Sequence, residues 1–270
     1  ERMLFDVTLF SDGSNIQRKP KGHLYLYPLI AIAAMLAIVF VMDLPHMHKP
    51  KQQLSQTIRI PAGQRAQMDL PDGSIVWLNS QTTLTYDENF GKKDRKVTLD
   101  GEAYFEVAHN KEIPFYVQTE NIKVQVTGTK FDVCSYKGSN SFIARLIEGS
   151  INLLTNNAKE EKPITSLTKG KYFSMENGKY KTGEMSSNNA LAWMQGIYYF
   201  DDVPFKELLD KIALYYNYKI TVKNPKILEN YRCTGKFKDL DGIEHILKVI
   251  QKDHPFKYNI DNEHNKITIE

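Results

Sequence analysis

The sequence predicts a mainly β exterior domain, solenoid-like or built of stacked antiparallel sheets, then a small α+β domain, both behind one N-terminal transmembrane helix. Three observations carry this reading. Residues 24–42, LYLYPLIAIAAMLAIVFVM, form a 19-residue run without a charged side chain. Residues 57–175 alternate apolar and polar in short runs broken by Gly, Asn and Asp, the period-two signature of strands. Residues 196–270 change again, to helical spacing interleaved with short strands.

The elements follow in chain order. Residues 1–23 are too short for a domain and read as a truncated cytoplasmic segment. At ~1.5 Å per residue the apolar run reaches roughly 28 Å, close to the ~30 Å hydrocarbon core of a bilayer. Arg18, Lys19 and Lys21 precede it, while Asp43, Lys49 and Lys51 follow. That bias places the N-terminus in the cytoplasm and the rest outside. Residues 43–56 carry prolines and charges without periodicity and read as a linker. His46 and His48 on it make too poor a pair to predict a metal.

Strands then recur at short intervals: Ser74–Leu78, Val97–Leu99, Glu102–Val107, Phe115–Val117, Ile122–Val126, Lys130–Val133, Phe142–Ile147 and Gly149–Leu153. Asp100-Gly101 reads as a turn between two of them. Such spacing fits a sandwich, barrel or solenoid, and the short, numerous strands favour solenoid-like or stacked sheets. Residues 176–195 read as a linker with a short helix at its end, the stretch 174–187 fitting either a linker or a hairpin. In the last segment, Asp201-Asp202 and Pro204 start a helix whose Phe205, Leu208, Leu209, Ile212 and Tyr216 share a face. Asp241 starts another, with Ile243, Ile246, Leu247 and Ile250 in line. The strands around them give the order β-α-β-β-α-β-β.

Composition narrows function. Thirty-five basic against 32 acidic residues, net +3, is no nucleic-acid footprint, and the Gly91–Lys96 run reads as a solvated loop. Cys134 and Cys233 sit in separate strand patterns and read as two buried thiols rather than a bridge. No nucleophile, phosphate-loop or metalloprotease motif occurs, so no catalytic residue, cofactor or metal is predicted. Glu102 and Glu106 share a strand face roughly 13 Å apart, beyond the ~5–9.5 Å of glycosidase carboxylate pairs. They read as a solvent-facing acidic strand. Aromatic residues crowd the start of the last domain, and Tyr199, Phe200 and Phe205 are the candidate partner-binding patch.

Several motifs carry a resemblance. Ile60-Pro-Ala-Gly-Gln64, Leu70-Pro-Asp-Gly-Ser74, Val76-Trp-Leu-Asn-Ser80, Asp100 to Val107, Pro114 to Val117, Val126 to Val133 and Leu146-Ile-Glu-Gly-Ser150 resemble FecR-type transmembrane anti-sigma regulators, in that family's order. Phe200 to Leu209 and Thr234 to Phe237 resemble its closing domain, itself similar to the secretin/TonB N-terminal module. The resemblance implies a single-span protein of the bacterial inner membrane with periplasmic C-terminal domains. It implies two partners: an extracytoplasmic-function sigma factor in the cytoplasm, and the periplasmic signalling domain of an outer-membrane TonB-dependent transporter. It implies no catalytic residues. The family's sigma-binding region precedes the span and is several tens of residues long, so its residues cannot be carried over to the 23 here. A non-signalling envelope scaffold, or a membrane-tethered polysaccharide-binding protein, is the alternative.

Overall fold

The computed structural model describes residues 26–43, 54–92, 94–156, 161–185 and 188–270. The expectations for residues 1–23, for the flanking charges before the apolar run, and for His46 and His48 lie outside these. The chain divides into two compact units, residues 1–52 and 53–270. In the first unit, helix α1 (Leu26–Asp43) takes in most of the apolar run. Its described side chains cover only positions 28 and 30–40. Among the described residues no helix is long and apolar enough to cross a membrane.

The second unit opens with thirteen strands: β1 (Ser55–Arg59), β2 (Ala66–Asp69), β3 (Ile75–Leu78), β4 (Thr83–Asp87), β5 (Arg95–Glu106), β6 (Phe115–Gln118), β7 (Ile122–Val126), β8 (Lys130–Ser135), β9 (Ser141–Glu148), β10 (Ser150–Thr155), β11 (Pro163–Thr168), β12 (Lys171–Glu176) and β13 (Lys179–Glu184). They join one curled sheet, a half-barrel in outline, in the order β11-β10-β7-β6-β5-β8-β9-β12-β13 with β1 to β4 branching from β5. Strand β5 is the hinge of this design. Its first half pairs with β4 and β6, and its second half with β3 and β8. The change falls at Gly101, whose φ of +135° only glycine adopts readily. A Cβ there would meet Thr82 Oγ1 at 2.4 Å. The expected turn at Asp100-Gly101 is therefore a bend within a single twelve-residue strand. Glycine was legible; that pairing continues through it was not.

The bend folds the two halves over one core. Leu84, Val97, Leu99, Val117 and Val124 meet Val76, Phe105, Phe131, Val133 and Leu146 in a single apolar cluster. Phe105 and Phe131 stack at 5.1 Å inside it. Buried Arg95 ties the edge of this core to the loop that follows β5. It donates to the carbonyls of Ile113, Ala108 and Asn110 at 2.7, 2.7 and 3.1 Å, and its Nη1 lies 3.1 Å from Asp72 Oδ2.

Of the two readings of residues 174–187, linker or hairpin, the structure has the hairpin: β12 and β13 pair through Asn177-Gly178. A 3-10 helix over Asn188–Gln195 leads on to β14 (Ile197–Pro204), α2 (Phe205–Tyr216), β15 (Lys219–Val222), β16 (Arg232–Lys238), α3 (Gly242–Asp253), β17 (Tyr258–Asp261) and β18 (Lys266–Ile269). The strands form two small sheets: β14 with β16, and β15-β18-β17 with β15 parallel to β18. The apolar faces of α2 and α3, the spacing read from sequence, pack Phe205, Leu208, Ile212, Ile246, Leu247 and Ile250 into a second core.

Candidate functional site

Period two along β5, β8 and β9 gives the sheet two faces. Ala103, Phe105, Val133, Ala144 and Leu146 point into the first core. Glu102, Tyr104, Asp132, Cys134 and Arg145 alternate with them and point away. In a solvated sheet that second face would be wet. Here the C-terminal part covers it: Tyr104 belongs to the second core, and Trp77 and Ile147 pack against it. Glu102 is 4 % exposed and Asp132 0 %. The expectation of a solvent-facing acidic strand is thus corrected at Glu102, which a neighbouring domain buries. Glu106, nearer the edge, is partly exposed and pairs with Lys130 Nζ at 3.2 Å.

The register of the sheet assembles the cluster. Asp132 lies opposite Arg145 on β9, and Glu102 opposite Cys134 on β8. Arg145 Nη1 donates to Asp132 Oδ2 at 2.6 Å and stands 3.8 Å from Glu102 Oε1. Asn79 Nδ2 donates to Glu102 Oε2 at 2.6 Å, and the Tyr215 hydroxyl reaches the same oxygen from α2 at 3.5 Å. Among the described residues Asp132 Oδ1 and Trp193 Nε1 are both buried without a hydrogen-bond partner. One guanidinium thus serves two buried carboxylates. Burial, and then the nearby Asp132 charge, push the Glu102 carboxyl up to about 7, against the pull of Arg145 and Asn79. Burial also raises Asp132, which the Arg145 contact opposes. The Arg145 guanidinium is held charged by the two acids. Burial lifts the thiol of Cys134 well above its ordinary range, and both cysteines are free.

A second set of contacts joins the loop after β3 to the end of α2. A helix leaves its last carbonyls without partners. Asn217, in the left-handed conformation at φ 58°, returns its own N–H to Ala213 and Leu214. The sheet supplies the rest. Ser80 Oγ donates to Tyr215 O at 2.9 Å, Gly63 N to the same carbonyl at 3.0 Å, and Gln81 Nε2 to Leu214 O. Gln81 itself sits at φ 57°, a conformation few non-glycine residues take. Arg65 Nη2 and Asp239 Oδ2 close the seam with a 2.7 Å ion pair. Beside that pair lies a cleft of about 430 Å³ lined by Arg65, Trp77, Trp193, Met194, Asp239 and Leu240.

The residues predicted as a partner-binding patch do not gather on the surface. Phe205 is 0 % and Phe200 2 % exposed, both in the second core. Phe205 packs edge-on to Tyr231 at 5.5 Å. Most of the aromatics crowded there were expected in the core, and the patch was assigned to the wrong ones. Tyr199 alone is partly exposed, with Lys236 Nζ 5.5 Å from its ring centre. Sequence reasoning missed Asn79, Asp132, Arg145, Trp193 and Tyr215. Period two placed Asp132 and Arg145 opposite the core face but could not reveal what covers them. Among the described residues no group of three or more His, Cys, Asp or Glu is arranged to hold a metal ion.

The fold and the seam define a two-part module: a curled β sheet whose outer polar face is closed by a small α+β partner. The family model FecR protein matches residues 56–152, and the model FecR, C-terminal matches residues 197–269. The chain belongs to the FecR family. Two crystal structures of a protein from Parabacteroides distasonis, provisionally described as an anti-sigma factor, share the fold. Each is 24 % identical, with a TM-score of 0.68, and the match covers 80 % of this chain and 98 % of that one. No curated protein matches the chain.

Proposed function

We propose that this protein is a single-span anti-sigma regulator of the bacterial inner membrane. In this reading residues 24–42 cross the bilayer, the N-terminal side meets an extracytoplasmic-function sigma factor, and residues 54–270 lie in the periplasm. There they receive the signalling domain of an outer-membrane TonB-dependent transporter. The observation that carries the reading is membership of both segments in the FecR family, in the order the family places them. The description of the structurally similar Parabacteroides protein agrees with it. The apolar run supports the span. Ile30, Met35, Leu36, Val39 and Phe40 of α1 are all more than half exposed, and a bilayer would cover them.

For the partner, free strand edges fit better than the aromatic residues, which the core consumes. Among the described residues strand β13 pairs with β12 alone, and β2 with β3 alone. An incoming strand can add to either through main-chain hydrogen bonds. The test is a reporter driven by each extracytoplasmic sigma factor of the source genome, with and without the full chain. Repression of one reporter, relieved when the neighbouring transporter is engaged, supports the proposal. Unchanged output from every reporter removes it.

A further inference from the structure

We propose that the seam between the β sheet and the C-terminal α+β part is a proton-linked latch, closed when Glu102 is protonated and released as it ionises. Three features of the geometry converge on this. The two carboxylates are buried only because α2 and the 3-10 helix at Asn188–Gln195 cover them; on an open sheet both would be hydrated. Polar contacts hold the rim of the cover, around the packing of Trp77, Tyr104 and Ile147: Ser80, Gln81 and Gly63 on the last carbonyls of α2, and Arg65 on Asp239. The polar contacts exchange readily for water, so the seam can part with the sheet core intact, at the cost of uncovering Trp77, Tyr104 and Ile147. Third, Arg145 is the single guanidinium shared by the two acids, which leaves one negative charge uncompensated when both ionise.

The charged and titratable groups around Glu102 come from every side. Asp132 and Cys134 stand on β8, Arg145 on β9, Tyr136 just beyond β8, Tyr198 on β14, and Tyr215 and Lys211 on α2. The tyrosines and the thiol stay neutral, because burial pushes each of them upward. Within this set the carboxyl of Glu102 is pushed up to about 7, and burial raises its neighbour Asp132 as well. The closed state holds the Glu102 proton up to about pH 7, against 4.5 for an ordinary glutamate. An opened seam, with Glu102 in water, would bind that proton more weakly. Closure is therefore fully favoured below pH 4.5 and loses that advantage as pH rises through 7. The displacement allows up to a ~300-fold change in the closed–open equilibrium across that interval.

The chain carries its own probe. Its two tryptophans, Trp77 and Trp193, both line the seam cleft. The full chain in lipid nanodiscs would be quenched with acrylamide at fixed ionic strength from pH 5 to pH 8. Quenching should rise at least twofold with a midpoint near 7. Glu102→Gln should stay at the low-pH value throughout. Asp132→Asn, which removes the like charge beside Glu102, should move the midpoint to lower pH. It keeps the test decisive should the first variant fail to fold by circular dichroism. A flat wild-type profile would overturn the latch. So would a wild-type transition that the folded variants reproduce unchanged.

Discussion

Replacing Arg145 by methionine removes the guanidinium that faces two buried carboxylates. Methionine keeps the length of the side chain, so the change isolates charge from packing. Arg145 makes a 2.6 Å contact to Asp132, which is wholly buried, and lies 3.8 Å from Glu102. Breaking a buried ion pair from one side costs about 3–5 kcal/mol. That is a large part of the ~5–15 kcal/mol by which a domain is usually stable. The cost must depend on pH, and its sign is fixed. Without the cation both acids hold their protons more tightly in the folded chain than in the unfolded one. The folded variant then binds more protons, and stability falls as pH rises. The loss should be full at pH 7.5, where wild-type Glu102 is mostly ionised, and clearly smaller at pH 5. Urea unfolding followed by tryptophan emission at both pH values measures it. A loss below about 1 kcal/mol at pH 7.5, or equal losses at the two pH values, would refute the reading of the cluster as charge-coupled.

Other substitutions probe the frame that builds the seam. Gly101→Ala combines a φ of +135° with a 2.4 Å approach to Thr82 and should cost ~2 kcal/mol or more in urea unfolding. A cost near zero would show that β5 does not need its bend. Arg95→Met strands the carbonyls of Ala108, Asn110 and Ile113 and leaves Asp72 without its cation. It should lower the melting temperature by roughly 10 °C. Phe205→Ala opens a hole in the second core and should cost about 3–5 kcal/mol, whereas Tyr199→Ala, on the partly exposed face of β14, should cost less than ~1 kcal/mol. Equal effects from the two would contradict the burial assigned to them.

Local pattern and long-range contact differ in what they reveal. The helices α2 and α3 were legible because their apolar residues repeat at three and four, and the same residues fill the second core. The strands were legible because alternation is local. The polar side of that alternation carries no mark of what will lie on it. Glu102 read as a surface residue, and Asp132 and Arg145 drew no notice, because a partner more than 40 residues further along the chain decides their burial. Tyr215 Oη reaches Glu102 across 113 positions of sequence. No local signal encodes such a pairing. The error at Phe200 and Phe205 has the same root: a cluster of aromatics does not tell which of them the sheet and helices will cover.

The position of the polar cluster follows from a problem any such fold must solve. A strand that serves a core on one face has a second face to occupy, and an apolar second face would expose a large patch whenever the covering part moved away. Charged residues there keep the sheet tolerable in water when uncovered. Their cost falls on the closed state, where desolvation must be offset by pairing. Asn79, Arg145 and Tyr215 provide that pairing, and Glu102 sheds the remainder by taking a proton. The closed form is accordingly stable without being permanent. A seam built from Leu and Ile alone would bind more tightly and would respond to nothing; a seam with one guanidinium for two carboxylates sits close to balance at neutral pH. A docking partner, or a change of one proton, is then enough to shift it.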